Sequence, residues 1–190
     1  MSDSNVQHGR KETSIFPIAL NLTAACIISG LIIAAVYFVT YPIAVEKNEM
    51  LKEQAMKALV ADADRFEPMA EKEQWFAAKK GDNTIAYIVP GESKGYGGTI
   101  KMLVAVSADG RVVDYNILTA NETPGLGDKA SQDFFRDRLK RKKSEDLLVV
   151  KDPSNKQNVD ALTGATITSS AVVKGVREAV DEVVHFTGGK

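Results

Sequence analysis

Hydrophobic and polar positions along this chain fall into three regimes. From Thr13 to Val45 no side chain is charged, and residues 15–41, IFPIALNLTAACIISGLIIAAVYFVTY, are apolar almost without interruption. A helix needs about 20 such residues to cross the hydrocarbon core of a bilayer, so residues 15–41 predict one transmembrane helix. A cleaved signal peptide has an apolar core of about 7–15 residues, shorter than this run. The run also continues through Tyr37, Phe38 and Tyr41, which suit an interfacial belt. The stretch LTAAC resembles a lipoprotein cleavage site, but Leu22 stands one place too far from Cys26, which reads better as a packed membrane cysteine.

A second regime mixes charge with helical spacing. In VEKNEMLKEQAMKALV, Met50, Leu51, Ala55, Ala58 and Leu59 recur near helical intervals, which predicts a stalk helix within 42–67, interrupted at Pro68. Trp75 and Phe76 are expected to anchor the start of a core. Residues 84–118 then turn to β-formers, with strands near 99–107 and 111–118 folded into a hairpin about the turn ADG.

Helical patterns return toward the C-terminus. KASQDFFRDRL places Phe134, Phe135 and Leu139 on one plausible helical face. In the last segment Val172, Val173, Val176, Ala179, Val180, Val183 and Val184 recur at three and four, while Lys174, Arg177, Glu178, Asp181 and Glu182 fill the other positions, and TGGK stops it. The expected organisation is a short cytoplasmic N-terminus (1–14), a transmembrane helix (15–41), a stalk helix (42–67) and one α+β domain (68–190), with an antiparallel sheet flanked by helices.

Charge narrows the function. A net charge of −1 and an isoelectric point near 6.2 argue against a nucleic-acid partner. One cysteine excludes a disulfide framework, an all-cysteine iron–sulfur cluster and a CxxCH haem attachment, and neither His8 nor His185 has a neighbour at metal-ligand spacing. If the chain handles electrons, its cofactor is organic. The basic run RLKRKK at 138–143 reads as a solvated helix end, with docking of an acidic partner as the alternative. Arg10 and Lys11 precede the membrane segment, whereas Lys47, Lys52 and Lys57 follow it among glutamates, so positive charges alone do not orient it. The N-terminus is expected inside and the domain outside.

Two loops remain. In NETPGLGDK (121–129), Pro124 fixes a turn while Gly125 and Gly127 let the backbone approach something flat or crowded; a tight strand-to-helix connection is the plainer explanation. In TGATITSS (163–170), a helix N-terminus offers unpaired amides and the positive end of its dipole to a phosphate, with Gly164 and Ala165 leaving room. The plainer explanation there is that Thr168 or Ser169 is an ordinary N-cap and the other hydroxyls bond locally.

DALTGAT, ending at Thr166, resembles the flavinylation motif of proteins that carry FMN through a phosphoester on the final threonine. Together with GYGG, ETPGLG and the order of anchor, strands and TGAT helix, the chain is similar over nearly its whole length to the G subunit of Rnf electron-transport complexes. The loops are shared with the C subunit of the sodium-translocating NADH:quinone reductase. The resemblance implies that Thr166 is esterified to FMN and that Asp160, Thr163, Gly164 and Ala165 complete the motif read by a flavin transferase, which takes FMN from FAD with a divalent metal. Glu122, Thr123, Gly125, Leu126 and Gly127 are then expected against the flavin or its ribityl chain, with Tyr96 and Gly97 as weaker contacts.

It also implies a redox subunit without a catalytic site of its own, anchored in the cytoplasmic membrane with its domain on the extracytoplasmic side. Other Rnf subunits, the transferase and the lipid bilayer are its expected partners. Three alternatives stay open at this point: a C-like subunit of the sodium-translocating NADH:quinone reductase, a stand-alone extracytoplasmic flavoprotein, and a tethered assembly module in which TGAT is only a capped helix.

Overall fold

In the computed structural model the described residues are 15–150, 155 and 157–188. The expected cytoplasmic segment 1–14 lies outside them. The chain divides into two units, the first ending at Glu49 and the second running from Met50. Helix α1, Ile15–Leu59, is continuous through Pro42, and nearly every side chain from Ile15 to Leu51 is exposed. At a rise of about 1.5 Å per residue, its apolar part is long enough to cross a bilayer.

α1 stops eight residues before the expected end of the stalk. Beyond Leu59 the chain turns, and Asp64 is fastened to a neighbouring hairpin: its amide donates to the Lys79 carbonyl (2.8 Å) and its carboxylate accepts from the Gly81 amide (2.8 Å). That tie converts Arg65–Pro68 into strand β1. Pro68 is tolerated because β1 is an edge strand, where one missing N–H breaks no ladder.

β1 opens a five-stranded antiparallel sheet of β1, β2 (Phe76–Lys80), β3 (Asn83–Lys94), β4 (Thr99–Ser107) and β5 (Val112–Thr119), in chain order. The predicted hairpin is β4–β5; β1, β2 and the extension of β3 through Gly91–Lys94 had no clear alternation to announce them. A helical turn, α2 (Asp133–Arg136), comes next, then a short parallel pair, β6 (Val149–Val150) with β7 (Val159–Asp160). Helix α3, Thr166–Thr187, ends the domain and is closed by Gly188 in the left-handed conformation.

Strand alternation gives the sheet two apolar faces. Ile100, Met102, Val104 and Val106 of β4 meet the buried valines of α3, while Leu103 and Ala105 share a core with Ala55, Met56 and Leu59 at the end of α1. The course of α3 is therefore set by core packing, which delivers Thr166 to one edge of the domain. α3 sits close to the sheet: a Cβ on Gly91 would lie 3.3 Å from the Gly175 carbonyl. Ser93, also in this layer, has a buried hydroxyl with no hydrogen-bond partner among the described residues. Ser93→Ala is therefore expected to be neutral or to stabilise by up to about 1 kcal/mol, seen as an unchanged or higher melting temperature in detergent; a drop beyond that would mean the hydroxyl is satisfied.

The segment expected as one helix from Lys129 is broken. A 3₁₀ turn covers Gly127–Ser131, Gln132 is extended (φ −84°, ψ 150°), and only the four residues of α2 are helical after it. Phe135 and Leu139 are buried, but Phe134 is exposed beneath the Arg138 guanidinium. The break lets the Ala130 carbonyl accept from the buried Tyr115 hydroxyl, whose ionisation burial pushes far up, so it stays a donor.

The basic run is likewise no solvated helix end. Arg138 reaches Asp160, Lys140 pairs with Asp137 and Asp114, Arg141 is left-handed (φ 67°) with its carbonyl bound by Arg111, and Lys142 donates to the Gln157 carbonyl. Arg136, just before the run, donates through Nε to Asp114 (3.0 Å), and this pair is largely buried. Severing such a pair usually costs about 3–5 kcal/mol. Because Lys140 remains near Asp114, Arg136→Ala is expected to cost about 2–3 kcal/mol, measured as a fall in melting temperature; no change would show the pair to be neutral.

Candidate functional site

Two turns of like construction face each other at one edge of the domain. In Thr123–Pro124–Gly125–Leu126 the Leu126 amide donates to the Thr123 carbonyl (3.1 Å), with proline second and a left-handed glycine third (φ 76°). In Leu162–Thr163–Gly164–Ala165 the Ala165 amide donates to the Leu162 carbonyl (3.0 Å), again with a left-handed third glycine (φ 78°). Both have the plan of a type II turn, which requires positive φ at that place. They touch: a Cβ on Gly164 would stand 3.2 Å from a methyl carbon of Leu126.

The second turn delivers the chain into α3, whose first internal hydrogen bond runs from the Ser169 amide to the Ala165 carbonyl (2.9 Å). The amides of Thr166, Ile167 and Thr168 therefore have no acceptor within the helix, Ala165 supplies no side-chain cap, and the first turn carries no acidic residue. These are the conditions for an anion at a helix N-terminus.

The crowd of hydroxyls has a division of labour. Ser169 closes the turn behind it, accepting from the Leu162 amide and donating to the Ala165 carbonyl, each at 2.9 Å. Thr168 donates to Glu122. Thr163 and Ser170 are exposed. Thr166 lines the cleft between the turns, and its hydroxyl makes no hydrogen bond among the described residues. Neither Thr168 nor Ser169 is the N-cap.

That cleft has a volume of about 540 Å³, inside the range of roughly 300–1,000 Å³ usual for small-molecule sites. Gly127, Gly164, Ala165 and Thr166 line it, together with Tyr96, Leu126 and Ile167, which are exposed apolar groups. Ile167 escapes notice in the sequence, although it carries a signal: at helical pitch it falls on the side of α3 opposite Val172, whereas Thr168, expected as an N-cap, lines the cleft instead.

Other expected residues stand elsewhere. Glu122 does not line the cleft; its carboxylate accepts from the amides of Tyr96 (3.3 Å) and Gly97 (3.0 Å) and from Thr168, so one side chain joins the GYGG turn, the ETPGLG loop and α3. Space around it is closed. A Cβ on Gly95 would meet Glu122 at 2.3 Å, one on Gly127 would meet both Glu122 and Thr168 at 2.8 Å, and one on Gly97 would meet the Asn121 carbonyl at 1.8 Å. Asp160 lies in β7, paired with Arg138.

Comparison with known proteins agrees with this geometry. Residues 95–181, which hold both turns and most of α3, match the FMN-binding domain family. The chain is 56% identical over 95% of its length, and 98% of the relative, to the G subunit of the proton-translocating ferredoxin:NAD(+) oxidoreductase complex of Clostridium ljungdahlii. This chain belongs to the family of Rnf G subunits. A second member, from the Na(+)-translocating complex of Acetobacterium woodii, is 28% identical over 87% of this chain and 90% of its own. Among solved structures, the C subunit of the Na(+)-translocating NADH-quinone reductase of Parabacteroides distasonis superposes with a TM-score of 0.51 at 26% identity, covering 61% of this chain and 63% of that one.

For a member of the Rnf G-subunit family, the cleft fits FMN in its parts: helix N-terminal amides with no acceptor among the described residues for a phosphate, glycines in the lining, and apolar side chains for a flat ring. When bound, FMN supplies the ability to take up and release electrons, which no side chain here provides. Leu126, Tyr96 and Ile167 would offer the ring apolar contact, and the first turn of α3 would hold the phosphate.

Proposed function

We propose that the chain is the membrane-anchored electron relay of an Rnf-type complex, carrying FMN as a phosphoester on Thr166. The observation that carries this reading is the placement of the Thr166 hydroxyl, which makes no hydrogen bond among the described residues and lies at the first residue of an uncapped helix lining the cleft. In the attachment, Thr166 Oγ1 forms a bond to the FMN phosphorus of FAD, the bridging P–O bond breaks, AMP departs, and the hydroxyl proton passes to a base on a flavin transferase. A tether of this kind keeps the cofactor at high effective concentration in a compartment where free FMN would be lost.

α1 crosses the cytoplasmic membrane and holds the domain on the extracytoplasmic side, beside the other subunits. There electrons pass through the site while the complex couples ferredoxin and NAD chemistry to Na⁺ or H⁺ movement. Family members named for either ion align with this chain, which is compatible with coupling to Na⁺ or to H⁺. Solvent-open apolar walls favour a carrier that meets partners over an enzyme that encloses a substrate. Membranes lacking this chain are expected to lose ferredoxin-dependent NAD reduction and to regain it with the wild-type chain; retention of the activity without the chain would sink the relay.

A further inference from the structure

Asp160 begins the flavinylation motif, yet its side chain is already engaged. Arg138 Nη1 donates to the Asp160 carbonyl oxygen (2.7 Å) and to its carboxylate (3.1 Å), with both side chains about two-thirds buried. The guanidinium also lies against the rings of Phe134 and Phe135, each centred 5.7 Å from its carbon. Five residues lie between Asp160 and Thr166, and the far end of that span is fastened by Ser169. Arg138 and Ser169 thus clamp the two ends of the loop that presents Thr166, with the left-handed Gly164 between them.

We infer that Arg138, outside the motif, is a positioning residue for flavin attachment, and that Asp160 acts at least in part through this clamp. The inference rests on the proposed attachment at Thr166. Physically, a loop released at one end samples orientations that the transferase cannot use, and the apparent affinity falls with the fraction that remains competent. The loss therefore belongs in KM and not in kcat.

The test uses the full chain in detergent, with FAD, Mg²⁺ and flavin transferase, and follows initial rates of covalent flavin incorporation against chain concentration. Arg138→Ala is expected to raise KM about tenfold with kcat unchanged, corresponding to a competent fraction near one in ten. Asp160→Ala removes the carboxylate but leaves its own carbonyl for Arg138, so it too should raise KM, and the double variant should fall well short of the product of the two single losses, because the ties overlap. Arg138→Lys, which keeps the charge and one donor, should recover part of the loss. Arg136→Ala serves as control: it weakens the domain through Asp114, away from the loop, and should leave KM at the wild-type value.

Wild-type KM in Arg138→Ala, or losses that multiply in the double variant, would overturn the clamp while leaving attachment at Thr166 intact. Equal KM increases in Arg136→Ala and Arg138→Ala would reduce the effect to general stability and overturn it too. A wild-type chain that takes no flavin overturns the clamp and the attachment together.

Discussion

Thr166→Val is expected to leave the domain folded and to abolish covalent flavin entirely. Valine preserves the branched shape of threonine, and the Thr166 hydroxyl makes no hydrogen bond among the described residues, so its removal strands no partner. What disappears is the unbonded hydroxyl that lines the cleft. Thr166→Ser keeps an oxygen and should still accept flavin, more slowly, because serine gives up the restricted χ1 of a β-branched residue. Ferredoxin-dependent NAD reduction in membranes should follow the same order, with loss in valine of at least about a hundredfold, equivalent to roughly 2.7 kcal/mol in the barrier. Covalent flavin on the valine variant would mean another hydroxyl is the acceptor, and exposed Thr163 would be the first to examine.

The second large effect is expected at Gly97, in the GYGG turn. Gly97→Ala would set a Cβ 1.8 Å from the Asn121 carbonyl, a backbone atom that cannot rotate away. Relief requires moving the turn that gives the Tyr96 and Gly97 amides to Glu122. Overpacking of about 1–3 kcal/mol and weakened hydrogen bonds to a carboxylate, each about 1.5–3 kcal/mol, together place the cost near roughly 3–5 kcal/mol. Gly125→Ala meets open space and only the left-handed backbone penalty, about 1–2 kcal/mol. Melting of the two variants in detergent should rank Gly97→Ala well below Gly125→Ala. The reverse order would show that the contact around Glu122 is loose and that the glycine of the ETPGLG loop matters more for stability.

The contrast shows how a sequence can point to the right residues for another reason. Glu122 and Gly97 are marked by their motifs, and both are expected near flavin on that ground. In the fold Glu122 is spent on protein amides and Thr168, and the glycines around it fit because three segments converge on one carboxylate. No periodicity encodes that convergence, since it joins Tyr96 and Gly97 to Thr168 from the far end of the domain sequence.

Features with strong local codes were legible. The apolar run of α1, the β4–β5 hairpin about ADG and the valine stripe of α3 follow from patterns that a few residues complete on their own. β1 and β2 did not, because their pairing is decided by Asp64 and by a distant hairpin. The segment after Gly127 reads as helical on its spacing, but the buried Tyr115 hydroxyl claims the Ala130 carbonyl, and the extended Gln132 interrupts the helix. The basic run has the composition of a solvated helix end, yet its members serve as ties to Asp114, Asp137 and Asp160. At the site, the motif marks Thr166, which lines the cleft; Ile167 goes unmarked despite its place opposite the buried stripe, and Arg138 is marked only as one member of a basic run.

Attachment of FMN at Thr166 is tested most directly by peptide mapping, using mass spectrometry on the chain isolated from membranes that contain an active flavin transferase. One FMN less one water is expected on the peptide holding Thr166, with fragment ions that place it on that residue. A flavin-free Thr166 peptide, from a preparation in which a control protein is fully flavinylated, would contradict the covalent relay.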